Sequence, residues 1–146
     1  MSLANLVGVS LEQIEPDQAS IRKLLDAAKR NITDAHIQQV STENRFDAAY
    51  KAIMQSANAA LQANGYRTLT SKPGHHMTMI QTLSQTCGVD KDSVILLDQL
   101  RKQRNVADYS GDVIPESAAR ECLILAEQLL QRVEQWLHDN KPELLA

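Results

Sequence analysis

The sequence predicts an all-α fold, an antiparallel up-and-down helical bundle of four to five helices. Three observations carry this. Only five Gly and four Pro interrupt 146 residues, so turns are few and elements long. One Trp, three Tyr and one Phe stand against abundant Ala, Leu and Gln, a balance that favours helix over strand. Apolar residues recur at helical spacing through most of the chain, and short links join the segments. The length fits a single domain spanning 1–146. Within it, 1–16 reads as a lead-in, 17–140 as the bundle and 141–146 as a frayed tail.

The lead-in offers Leu3, Leu6 and Val7 for a short docking turn, and Pro16 closes it. Asp17 is a good N-cap for the first helix, whose apolar positions are Ile21, Leu24, Leu25, Ala28, Ile32 and Ala35, continuing to about Val40. His36 reads as a surface residue. Ser41 or Thr42 caps the second helix. Its stripe of Phe46, Ala49, Tyr50, Ile53, Met54, Ala57, Ala60 and Leu61 is the cleanest in the chain, and its Ala content predicts close packing. Arg45, in the first turn, reads as a solvated charge. Asn64-Gly65 ends this helix, with Gly65 placed for a left-handed cap.

Residues 65–73 form the longest internal loop. Gly74 to Cys87 reads as one helix with Met77, Ile80, Leu83 and Cys87 inward, stopped by Gly88. A turn through Asp90 leads to a helix over about 91–108, with Val94, Leu96, Leu97, Leu100 and Ala107 as its apolar positions. Ser110-Gly111-Asp112 is a turn. Pro115 beside Glu116 opens the last helix, whose inner face runs from Ala119 and Cys122 to Trp136 and Leu137. No strand pattern, internal repeat, low-complexity tract or Gly-rich phosphate loop competes with this reading.

Composition narrows the function classes. A net charge of −3 requires any nucleic-acid contact to come from a local basic patch. No apolar run approaches the ~20 residues of a membrane span, and Met1 to Ser10 lack the pattern of a signal peptide. The expectation is therefore a cytoplasmic protein without a membrane. Cys87 and Cys122 are too few for a disulfide framework or a zinc site and sit on apolar faces, as buried thiols do. Nothing in the sequence calls for a cofactor or a metal.

The most unusual stretch is Arg101-Lys102-Gln103-Arg104-Asn105-Val106-Ala107-Asp108-Tyr109. Cations at a helix end offset the negative end of the dipole, but Asn, Asp and Tyr following at once are not explained that way. The helices flanking Asp90 should pack antiparallel, which brings His75 and His76 level with Arg104 and Asn105. The loop with Arg67 and Lys72 lies at the same end. The candidate cluster is thus Arg67, Lys72, His75, His76, Arg101, Arg104, Asn105, Asp108 and Tyr109. It joins a basic patch to a helix N-terminus, both suited to phosphate. A positive helix end disfavours protonated His. Spacing supports neither a metal site nor a Ser-His-Asp arrangement at His75-His76; solvent exposure at a helix entry is the plain alternative there.

Over about 43–138 the chain resembles the HEPN family (higher eukaryotes and prokaryotes nucleotide-binding domain). The resemblance rests on Arg45-Phe46-x-x-Ala49-Tyr50, on Gly74-His75-His76, and most on Arg101-x-x-Arg104-Asn105-x-Ala107-Asp108-Tyr109 followed by an Ala- and Leu-rich helix. It implies an all-α bundle that dimerises, and an activity among metal-independent ribonucleases, often toxins paired with a nucleotidyltransferase antitoxin. The family motif is an Arg, commonly followed by a polar residue, then a His after four to six positions. Arg104 and Asn105 match its first half. Tyr109, Ser110 and Gly111 occupy the place of the His, a departure that argues against cleavage.

Three readings follow. The first is a HEPN-like module binding RNA or nucleotide, non-catalytic or weakly catalytic, in a toxin–antitoxin or defence system. The second is a metal-independent endoribonuclease in which Arg104 and Asn105, with His75 or His76 as base, carry catalysis, while Arg67, Lys72, Arg101, Asp108 and Tyr109 bind the ligand. The third is a structural dimerisation domain. The implied partners are a second copy of the chain, RNA or a nucleotide, and a nucleotidyltransferase.

Overall fold

The computed structural model describes residues 2–71 and 74–145 and is an all-α helical bundle. Its helices are α1 (Gln18–Ala35), α2 (Thr42–Ala63), α3 (His75–Gln81), α4 (Leu83–Cys87), α5 (Lys91–Ser110) and α6 (Glu116–Asn140). Two short strands, β1 (Leu11–Gln13) and β2 (Tyr66–Thr68), pair antiparallel with Leu11 opposite Thr68.

The bundle is built around α2. It packs most extensively on α1 and α6 and also touches α3, α4, α5 and β2. Only a helix with small side chains on several faces can be surrounded in this way. Ala49, Ala52, Ala57, Ala59, Ala60 and Ala63 are all buried, and Phe46, Tyr50, Ile53 and Leu61 fill the space between the close-approach points. A close-packed interior of this kind tolerates little change in volume. Every helix contributes to the same apolar core.

The helix caps follow the chemistry of their residues. Asp17 accepts the Ala19 N–H at the start of α1, Ser41 accepts the Asn44 N–H at the start of α2, and Asp90 accepts the Ser93 N–H at the start of α5. Gly65 closes the end of α2 at φ +90°, and Gly88 closes α4 at φ +70°. Asn64 Nδ2 donates to the carbonyls of Ala60 and Thr86, tying the end of α2 to α4.

Several expectations are corrected. The first helix ends at Ala35 rather than near Val40. The Val40 carbonyl instead accepts from Arg45 Nε, and the chain turns there to present Ser41 as a cap. The expected helix over 74–87 is broken at Thr82, whose hydroxyl donates to the Thr78 carbonyl and also approaches that of Met79. A threonine bonded back onto the preceding turn bends a helix, and Thr82 is buried. The lead-in has a short 3-10 turn at Leu3–Leu6, as expected, but it also adds a strand: Leu11 is fully buried and β1 pairs with the expected loop at 66–68, so a strand pair exists where none was expected. The tail also docks, since Pro142–Leu144 forms a 3-10 turn, Leu144 is buried and Arg22 donates to the Leu145 carbonyl.

Arg45 is the clearest reversal. It is buried, not solvated, and both terminal nitrogens donate to the Glu116 carboxylate at 2.8 and 2.7 Å. That bidentate pair joins the first turn of α2 to the first turn of α6. It holds the Glu116 carboxyl down at about 2, with the Thr42 hydroxyl as a second donor.

Candidate functional site

The site lies where α5 meets α3 over the first half of α2. Two elements set it up. The left-handed Gly74 starts α3, so His75 and His76 enter side by side, their rings 4.9 Å apart and nearly perpendicular. On α5, residues 97, 100, 104 and 107 share the inward face by helical spacing, and Leu97 and Leu100 are buried there. That spacing turns Arg104 inward.

At the centre stands Tyr50. Its hydroxyl lies 3.2 Å from His76 Nδ1, and the Arg104 guanidinium sits over its ring, 5.0 Å from the centroid. This is a cation–π contact. Arg104 Nε is 3.7 Å from an Asp47 carboxylate oxygen, and the side chain keeps about 30% of its surface exposed. Arg104 makes no hydrogen bond among the described residues, so its N–H donors remain open to a ligand.

Electrostatics follow from this packing. Burial pushes the Tyr50 phenol up to about 12, against the opposing pull of the Arg104 and Arg101 charges. His76 is held below the usual 6.5, first by burial and then by the charges of His75, Arg104 and Arg101. Near neutral pH the cluster therefore presents a neutral imidazole, a phenol and a guanidinium in sequence. A neutral imidazole accepts or passes a proton, while a guanidinium stabilises negative charge on a phosphate.

The expected cluster is assembled only in part. His75, His76, Arg104 and Arg101 come together. Arg101, however, is spent on Asp98 at 2.8 Å and is largely covered. Arg67 lines one groove with His75 and His76 but pairs with Glu12 across the strand ribbon. Asn105 and Tyr109 point away from Arg104: both are exposed, Tyr109 by 93%. One residue along a helix rotates the side chain by about 100°, so adjacent positions 104 and 105 cannot share a face. Asp108 is exposed and pairs with neither Arg101 nor Arg104, which use Asp98 and Asp47. Lys72 lies outside the described residues. The expected contribution of a helix N-terminus is weak, because α3 has only seven residues.

Tyr50 and Asp47 were not among the expected site residues. Tyr50 falls on the apolar stripe of α2 and reads as core, which it also is. The one available signal was that a buried tyrosine needs a partner for its hydroxyl.

The two sides of the cluster differ in charge. Arg104 itself lines a cleft of about 200 Å³ together with Glu43, Asp47, Asp108 and Asp112. On the His76 side, a groove of about 370 Å³ between α2, β2 and α3 has no carboxylate in its lining. In the first, Arg104 is the cation among four carboxylates; the second has no carboxylate among its described lining residues. Among the described residues no group of three or more His, Cys, Asp or Glu side chains could hold a metal ion. Both cysteines are buried, and burial raises the Cys122 thiol to about 12, so neither is a ready nucleophile. His36 is exposed and faces Glu127 at 3.6 Å. No helix among the described residues is long and apolar enough to cross a membrane.

No protein-family model matches this chain, and a search of curated proteins returns no match.

Proposed function

We propose that this chain is a HEPN-like helical module that binds RNA or a nucleotide through its phosphate, with Arg104 as the central contact. The observation that carries the reading is the state of Arg104. Its guanidinium is held in place by the Tyr50 ring, its donors are unused among the described residues, and it remains partly exposed. A pre-oriented guanidinium suits bidentate contact with phosphate. His75 and His76 supply neutral donors or acceptors beside it. The resemblance extends the proposal to a toxin–antitoxin or defence setting with a nucleotidyltransferase partner, and to a homodimer.

The test is binding of single-stranded RNA across a salt series. Arg104→Ala should weaken binding and lower the slope of log affinity against log salt by about 0.7 for the lost phosphate contact. Unchanged affinity with an intact fold would remove Arg104 from the site.

A second reading, metal-independent RNA cleavage, is favoured by one observation: the neutral His76 is linked through Tyr50 to Arg104. In that reaction His76 takes the proton from a ribose 2′-hydroxyl. The freed oxygen attacks the adjacent phosphorus, forming a 2′,3′-cyclic phosphate as the P–O5′ bond breaks; the departing 5′-oxygen takes a proton from water and leaves as a hydroxyl, while Arg104 stabilises the charge that builds on the phosphoryl oxygens. Cleavage of labelled RNA in EDTA that is lost in His76→Gln would establish it; retained binding without cleavage leaves a binding module.

A further inference from the structure

The groove on the His76 side has a lining that the phosphate contact does not use. Along α2, Asn58 and Gln62 stand one turn apart on one face and are both half-buried. Gln62 Nε2 donates to Asn58 Oδ1 at 3.3 Å. This fixes the two amides relative to each other. It leaves an Asn58 Nδ2 donor and a Gln62 Oε1 acceptor side by side, neither with a partner among the described residues. Gln55, further back on α2, is held in the same way, since its Oε1 accepts from Asn31, and its own Nε2 has no partner among the described residues. Met54 and Met79 give the groove apolar walls, and His75 adds an aromatic ring. The volume, about 370 Å³, falls within the range of small-ligand sites, roughly 300–1,000 Å³.

These features select a ligand chemistry. Among the described residues the cation of the lining is Arg67, and it is bound to Glu12, so an anion gains little. Cations have no carboxylate. A flat, neutral ring that carries one donor beside one acceptor matches the open amide edge, and its faces match thioether and imidazole. The Watson–Crick edge of a nucleobase has that pattern, and unstacked bases are read by amides and aromatic rings in this manner. His76 lines the groove and also contacts Tyr50, on which Arg104 stacks. His76 thus borders both the phosphate contact and the groove, and Asn58 and Gln62 lie about 12 and 18 Å further along α2 from Tyr50, a span for which the base comes from a neighbouring nucleotide.

We infer that the groove between α2, β2 and α3 receives one splayed-out nucleobase, read by the linked amides of Asn58 and Gln62. This rests on the proposed phosphate contact at Arg104 and assigns the base to a different set of residues.

The experiment compares a short oligouridylate with an abasic ribose-phosphate oligomer of the same length by fluorescence anisotropy. Wild type, Arg104→Ala, Gln62→Met and Asn58→Leu are measured, each checked by circular dichroism. Wild type should bind the base-bearing oligomer roughly tenfold tighter than the abasic one. Gln62→Met and Asn58→Leu should abolish that preference and leave abasic binding unchanged, whereas Arg104→Ala should weaken both oligomers alike. Equal wild-type binding of the two oligomers, still sensitive to Arg104→Ala, overturns the base pocket and leaves the phosphate reading standing. Loss of abasic binding in both amide variants marks a structural effect and also overturns it. No binding of either oligomer by wild type removes both readings.

Discussion

His76 shows how one residue's surroundings set its chemistry. It is close to two cations and partly covered, and both conditions disfavour the imidazolium. Its folded-state pKa is thus below 6.5, while the unfolded chain keeps the ordinary value. The unfolded state binds more protons in that window, so the His76 contribution to stability is present above about pH 6.5 and is lost as pH falls through the folded-state pKa. Urea titrations across this range should show stability falling with acidification, and His76→Gln should flatten the dependence. An unchanged slope in the variant would mean that His76 is not held neutral. Arg104 illustrates the same logic from the ligand's side. Its neighbour Asp47 is half-exposed, so the pair is screened and leaves the guanidinium free to engage phosphate.

At the level of elements, the two longest inner contacts of α2 are secured differently. With α1 it shares a packed apolar seam. With α6 it shares a seam plus the bidentate Arg45–Glu116 pair at the two N-terminal ends. Because Glu116 is held at about 2 against an ordinary 4.5, the pair's contribution is present above pH 4.5 and fades as pH falls towards 2. Arg45→Met should therefore lower the melting temperature at neutral pH, and the gap to wild type should narrow through that acid window. A gap that stays constant with pH would assign the loss to packing of the Arg stem. Packing within α2 gives a larger effect. Ile53 is fully buried at its centre, and Ile53→Ala should cost about 2–5 kcal/mol in urea unfolding. A smaller loss would mean that neighbouring helices close into the space.

At the scale of the molecule, α5 is the least enclosed long helix. It leans chiefly on α3, and only Leu97 and Leu100 are buried in it. Its outer face carries Ile95, Val106 and Tyr109, exposed by 54, 58 and 93%. Helical spacing places these three on one stripe, with the exposed Lys102 between Ile95 and Val106, and this mixed face is the one the proposed homodimer would use. Light scattering should give twice the chain mass at micromolar concentration, and Val106→Asp should return it to the single-chain mass while circular dichroism is unchanged. A wild type that is already monomeric would leave the stripe without that role.

Much of this arrangement was legible in the chain itself. Caps at Asp17 and Ser41, the turn at Asp90, stops at Gly65 and Gly88, and the stripe on α2 depend on neighbours within a turn or two, so local chemistry determines them. The closeness of His76 to Arg104 was also legible, because a short connection restricts how two helices can pack. The remainder depended on distant partners. Burial of Arg45 required Glu116, which lies 71 residues away. The β1–β2 pairing joined segments 55 residues apart at Glu12 and Arg67. Tyr50 was read as core because hydrophobic spacing reports only that a side chain faces inward. Which cation stacks on its ring and which imidazole meets its hydroxyl are set by how three helices cross, and no single stretch of sequence encodes that crossing.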